Sequence, residues 1–266
     1  MATPHISRHT SVSTAALALN IRIVDGHASF IASSQLFSGV PFSDCLRIAQ
    51  HARWRVSNRG EVLFQSGEAI HRVSLIESGL VKLTQLSPDG SEVILWLRGR
   101  GHSIGIPNNP THSSHTCSGS PLFLCRTMSW EWFWLDQLPS ARQIRANVSN
   151  IICGQLSEIQ ERFREIATEK VSIRVALMLV RILTQVGEPA IGGTEVHLSR
   201  EALAQLTGTT LFTVSRLISR WSDQGLVEAR REAIIVRDPA QLLLCCRDFA
   251  EHSMRPLDPK PLHPLT

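Results

Sequence analysis

Near residue 135 the hydrophobic period of this chain changes, and that change limits the folds open to it. Upstream, from Val56 to Phe133, short apolar runs are cut by glycine. Val62–Phe64 runs into Ser66-Gly67, Val73–Ile76 into Ser78-Gly79, and Leu80–Leu83 leads to Pro88-Asp89-Gly90. Val93–Leu97 is followed by Gly99 and Gly101, and Pro121–Cys125 closes the set. Strands of about five residues at ~8–12-residue spacing predict a small β-barrel or sandwich. Downstream, from Pro139 to Glu169, the apolar residues are Ile144, Val148, Ile151/Ile152, Leu156, Ile159, Phe163 and Ile166, with steps alternating near four and three. That spacing is a coiled-coil seam and predicts pairing with a second copy, with Val148, Ile152, Ile159 and Phe163 at the interface. The alternative is one amphipathic helix packed on its own domain.

A further helix is predicted over Val171–Val186, stopped by Gly187 and Pro189, with a turn at Gly192-Gly193. Next comes LSREALAQLTGTTLFTVSRLISRWSDQGLVEARREAIIV, residues 198–236. Ser199 suits the N-cap of a helix bearing Ala202, Leu203 and Leu206, and Gly208 suits its left-handed stop. Thr209 or Thr210 caps a second helix that buries Val214, Leu217, Ile218 and Trp221. Its other face shows Thr213, Ser215, Arg216 and Arg220, with no acid from Thr209 to Ser222. Two short helices joined by a glycine turn, the second basic and rich in hydroxyls, make a helix-turn-helix. The two short strands predicted after Gly225 surround Arg230-Arg231 as a wing whose arginines reach the phosphate backbone.

The rest of the composition fits this reading. At 266 residues there is room for about two domains. The formal charge of +4 is almost all arginine, since Lys82, Lys170 and Lys260 are the only lysines, and arginine suits phosphate and guanine. The six cysteines (45, 117, 125, 153, 245, 246) form no C-x-x-C pattern. In a chain this large that reads as a reducing cytoplasm. No apolar run approaches the ~20 residues of a membrane span, so no membrane is expected as a partner. Residues 1–30 show no sustained period and read as a flexible N-terminal arm. The four prolines after Met254 make residues 248–266 a tail.

Three segments together resemble the Crp/Fnr family of transcription regulators. The run from Gly208, GTT-x-x-TVSRLIS-x-W-x-x-x-GLV, is similar to that family's recognition helix. Arg59–Glu68 (RGEVLFQSGE), followed by Ile76-x-x-Gly-Leu-Val-Lys-Leu, resembles the entry strands of its cyclic-nucleotide-binding β-roll. The resemblance implies an α+β chain in the family's order: an N-terminal β-roll (double-stranded β-helix) sensor domain over 31–137, a long dimerisation helix over 138–169, and a C-terminal winged helix-turn-helix over 170–247. It implies a homodimer that binds double-stranded DNA and meets RNA polymerase. Ser199, Thr209, Thr210, Leu211, Phe212, Thr213, Ser215, Arg216, Arg220, Arg230 and Arg231 fall in the DNA-binding stretch.

The chain also departs from the family. Members that bind cAMP carry a Gly-Glu pair for the ribose and an Arg-Ser or Arg-Thr pair for the phosphate. Here those places fall on Gly105-Ile106 and near Thr116-Cys117. Without either charged partner, cAMP is not the expected effector and the signal stays unidentified. The family's iron–sulfur members need clustered N-terminal cysteines, and here the first cysteine is Cys45. No cofactor is assigned. His112, His115 and Cys117 are ligand types for zinc or haem, set against the reading of that segment as a solvated loop. Where the family commonly reads bases with an Arg and a Glu, this chain has Leu211 and Phe212. No phosphate loop, G-x-S-x-G or zinc-protease helix is present, so an enzyme is not expected. A scaffold protein whose winged helix binds protein rather than DNA is the alternative.

Overall fold

The computed structural model describes residues 10–88, 90, 92–107 and 113–252, and the side chains of residues 22–88, 90, 92–107 and 113–246 among them. The chain divides after Ile159 into two compact units.

The first unit is built on two antiparallel sheets. One has the order β1-β7-β2-β5, with β1 at Arg53–Ser57, β7 at Cys125–Glu131, β2 at Arg72–Ser78 and β5 at Ser103–Ile104. The other has the order β4-β3-β6, from Glu92–Arg98, Val81–Leu86 and Ser118–Pro121. Ile76, Ile104 and Cys125 of the first sheet share a buried cluster with Val81 and Leu83 of the second and with Cys117. This is the small β-barrel expected from the glycine-cut runs. The opposite face of the first sheet presents Val73, Leu75, Met128 and Trp130 to helices. The helices are α1 (Thr10–Ser33), α2 (Phe42–Gln50), the short α3 (Trp132–Leu135) and the start of α4 (Ala141–Thr168). Trp130, edge-on to Phe37 at 5.3 Å, donates its indole N–H to Ile48 O at 2.7 Å, so the large ring is buried with its polar atom satisfied.

Two expectations change here. The loose arm expected over residues 1–30 is, from Thr10 on, helix α1. Ala28 and Ile31 lie on one face of it and are fully buried. A helix held by so narrow an apolar stripe shows little periodicity in its sequence. The interface position Val148 is also taken. It is 6% exposed and packs, with Ile144, into its own unit's core beside Trp130 and Trp132. Ile152 is partly covered by the same cluster. The exposed apolar residues of α4 are Leu156, Ile159, Phe163 and Ile166. The seam therefore faces outward only in its second half.

In the second unit, α5 (Val171–Val186) packs against α6 (Arg200–Thr207) and α8 (Pro239–His252). α7 (Leu211–Asp223) follows α6, and a sheet of order β10-β11-β9-β8 closes the unit. Its strands are β8 (Glu188–Ala190), β9 (Gly193–Val196), β10 (Val227–Arg230) and β11 (Ala233–Val236). Glu165, 4% exposed, receives two hydrogen bonds from Arg181, one of them 2.8 Å, which ties the end of α4 to α5. The tail after Met254 and His112 lie outside the described residues. Among the described residues no helix is long and apolar enough to cross a membrane.

Candidate nucleic-acid interface and β-roll cavity

Local chemistry sets the two helices of the second unit. Ser199 Oγ accepts from Ala202 N at 3.1 Å and fixes the start of α6. Gly208 ends that helix at φ +60°, where a side chain would strain the backbone. Thr209 N donates to Ala204 O at 3.1 Å within this turn. Thr210 Oγ1 accepts from Thr213 N at 3.2 Å and starts α7. Val214, Ile218 and Trp221 are buried as the period requires, while Leu217 is half-buried.

The face left outside carries Phe212, Thr213, Ser215, Arg216 and Arg220 along one shallow groove. Leu211 and Phe212, in the first turn, are 51% and 70% exposed. The Arg216 guanidinium lies 5.8 Å from the Phe212 ring centre. Bare aromatic surface beside a guanidinium, at the N-terminal end of an exposed helix, is suited to a ligand with both methyl and polar edges.

The two wing arginines differ. Arg230 is held by Glu228 at 2.9 Å and Glu195 at 3.5 Å, so its charge is shared with neighbouring strands. Arg231 is exposed in the turn between β10 and β11, next to Glu232 at φ +58°. Sequence spacing alone does not distinguish them, because Glu195 reaches Arg230 only through the β9–β11 pairing.

In the first unit a cavity of about 690 Å³ opens at the mouth of the roll. Of the expected effector residues Gly105 lines it, whereas Ile106 packs against the helical core. Gly105 is there for steric reasons: at φ +78°, a Cβ would stand 2.3 Å from Arg72 O. Its carbonyl accepts from Trp132 Nε1 at 3.0 Å. Thr116 is exposed and its carbonyl accepts from Gln85 Nε2, while Cys117 is buried in the barrel cluster. The four residues do not form one pocket.

The cavity does contain charge. Arg55, Arg72, Glu68 and Glu131 line it, together with Phe64, His115 and Trp132. The expectation that the roll offers a phosphate no charged partner is thus corrected. The two arginines come from β1 and β2, far from the family motif. Both are engaged: Arg72 Nη2 donates to Glu131 Oε1 at 3.1 Å and Arg55 Nη2 to Val62 O at 3.2 Å.

The zinc or haem grouping fares differently. His115 is stacked on Phe64 at 3.9 Å, and burial holds its imidazole below the usual histidine range. Burial pushes the Cys117 thiol up. Among the described residues no three His, Cys, Asp or Glu side chains come together as a metal site.

Comparisons with known proteins agree with both halves. A family model for the cyclic nucleotide-binding domain matches residues 54–119, and one for the Crp-like helix-turn-helix domain matches residues 173–245. The chain is 23% identical over 218 residues to a "CRP-like cAMP-activated global transcriptional regulator" of Mycobacterium tuberculosis, covering 80% of this chain and 96% of the relative. It is 24% identical over 193 residues to the transcriptional activator protein Anr of Pseudomonas protegens, covering 71% and 79%. Among solved structures, FixK2 from Bradyrhizobium japonicum superposes with a TM-score of 0.63 at 20% identity, covering 72% of this chain and 95% of that one.

Proposed function

The chain belongs to the Crp/Fnr family of transcription regulators, and we propose that it works as a homodimer whose α7 reads an operator while the β-roll takes an unidentified signal. The observation that carries this reading is the outer face of α7, free of acid from Leu211 to Ser222, with Thr213, Ser215, Arg216 and Arg220 outward and Val214, Ile218 and Trp221 inward. DNA binding follows from the family; the residues that read bases, the dimer and contact with RNA polymerase are the proposal. The test is selection from a random duplex pool, then affinity measured against salt. Counterion release gives a linear fall of log affinity with log salt. Binding to DNA that is independent of salt would favour the scaffold reading.

Arg216→Ala costs about 1–3 kcal/mol on the selected site, as expected for an arginine at a base edge. The quantity to measure is the affinity ratio between selected and scrambled duplex, and an unchanged ratio removes Arg216 from base readout.

Leu211 and Phe212 supply no hydrogen-bond donor or acceptor, but they can pack on the thymine methyl group. The outer positions of each half-site therefore favour thymine over guanine, with half-sites about one helical turn apart. Phe212→Glu shifts the selected sequence towards the family's usual half-site. Selection of that usual half-site by the wild-type protein would show that these two side chains do not set specificity.

Cyclic AMP binds poorly, because Arg55 and Arg72 are already committed and Glu68, which also lines the cavity, accepts from Gln65 N at 2.9 Å. Calorimetry that returns a micromolar dissociation constant would overturn this.

A further inference from the structure

The first unit holds a second cavity, of about 520 Å³, between the turn after α1, the β4–β5 corner and one face of α4. Hydroxyls, amides and charged groups make up nearly all of its wall, Ile151 being the apolar exception. Two donors in that wall are buried. Arg98 is 5% exposed, and its guanidinium meets Glu158 of α4 through Nη2–Oε2 at 3.0 Å and Nη1–Oε1 at 3.4 Å. Ser103 is 9% exposed, and its hydroxyl is buried without a hydrogen-bond partner. Beside them α4 leaves open space at Gly154, where a Cβ would meet nothing within 4 Å.

A buried guanidinium requires an anion, and its planar fork matches a planar carboxylate. Here the anion comes from Glu158, whose side chain is 41% exposed and so is able to turn into water. A buried hydroxyl with nothing to donate to is costly unless something else occupies the cavity. Burial, with the Arg98 charge, holds the His102 imidazole below the usual histidine range.

We propose that this cleft binds a small carboxylate, which takes the place of Glu158 on Arg98 and accepts the Ser103 hydroxyl proton in a hydrogen bond. Glu158 is the chain's own stand-in for the ligand. Its release frees the side of α4 that faces the cleft, on the same helix that carries Leu156 and Ile159. The site is distinct from the roll mouth, and its occupancy is measurable without DNA, so the proposal stands or falls apart from the operator reading.

The experiment is calorimetric titration of the full-length chain with succinate, with the uncharged succinamide as control. Glu158→Gln removes the competitor and binds succinate about tenfold tighter than wild type, a gain the size of one charge-assisted hydrogen bond. Ser103→Ala binds it about tenfold more weakly, and succinamide gives no heat. A residue that merely held the fold would not tighten binding when replaced, and circular dichroism confirms that both variants keep their secondary structure. Absence of succinate heat with Glu158→Gln overturns the proposal, as does equal affinity of wild type and Glu158→Gln or an unaffected Ser103→Ala. Tighter binding of inorganic phosphate than of succinate by Glu158→Gln overturns the assignment to carboxylates.

Discussion

For the proposed dimer, Ile159→Glu is expected to give a monomer in light scattering at concentrations where the wild-type chain pairs. Leu156, Ile159, Phe163 and Ile166 leave between 44% and 72% of their surface in water, at heptad spacing along a helix whose earlier apolar residues are already covered. Covering such a side chain contributes ~1.5–3 kcal/mol, and a two-fold seam counts each residue twice. Ile159 has 44% of its surface left to cover, so losing it from both chains removes about 1.3–2.6 kcal/mol of association, some one to two orders of magnitude in the dissociation constant. The glutamate adds repulsion where the two copies of position 159 meet. Ile159 belongs to neither buried cluster of the first unit, so the variant keeps its fold and its circular dichroism. An Ile159→Glu protein that still scatters as a dimer would assign the interface to another surface.

Arg181→Met destabilises the second unit by about 3 kcal/mol, measured by urea unfolding of the whole chain. Glu165 lies inside the unit at 4% exposure, and the two hydrogen bonds from Arg181 are what allow a carboxylate there. Removing one partner of a buried pair leaves an uncompensated charge, with a usual cost of about 3–5 kcal/mol. The lower end applies because the Arg181 side chain is itself 35% exposed and water reaches the site. Adding Glu165→Leu to Arg181→Met recovers most of the loss, because the charge that suffered is gone. If the double variant is as unstable as the single one, packing rather than charge set the cost.

The elements most legible in the sequence are those whose signals are local. α5 runs over the predicted Val171–Val186, and α6 and α7 begin after the serine and threonine expected to cap them. β1 escaped because four of its five residues, Arg53–Val56, are exposed, so no inward-outward alternation betrays it. The charged lining of the roll mouth escaped for a different reason. Arg55 and Arg72 share a cavity with Glu131 because β7 pairs with both β1 and β2, and strand order is not written in any one segment. The same holds for Arg98 and Glu158, which meet across 60 residues of chain. In the coiled-coil seam the period is visible but the covering is not. Val148 and Phe163 both belong to the apolar seam, yet one lies under its own sheet and the other lies bare.

Gly105 marks the difference between inheritance and use. The space for a side chain there is closed by the Arg72 carbonyl, so any strand pairing of this kind between β2 and β5 demands glycine whether or not a nucleotide ever enters. The need for this glycine is a demand of folding, independent of what stands at position 106. Position 106 is no freer, since Ile106 packs against the helical core.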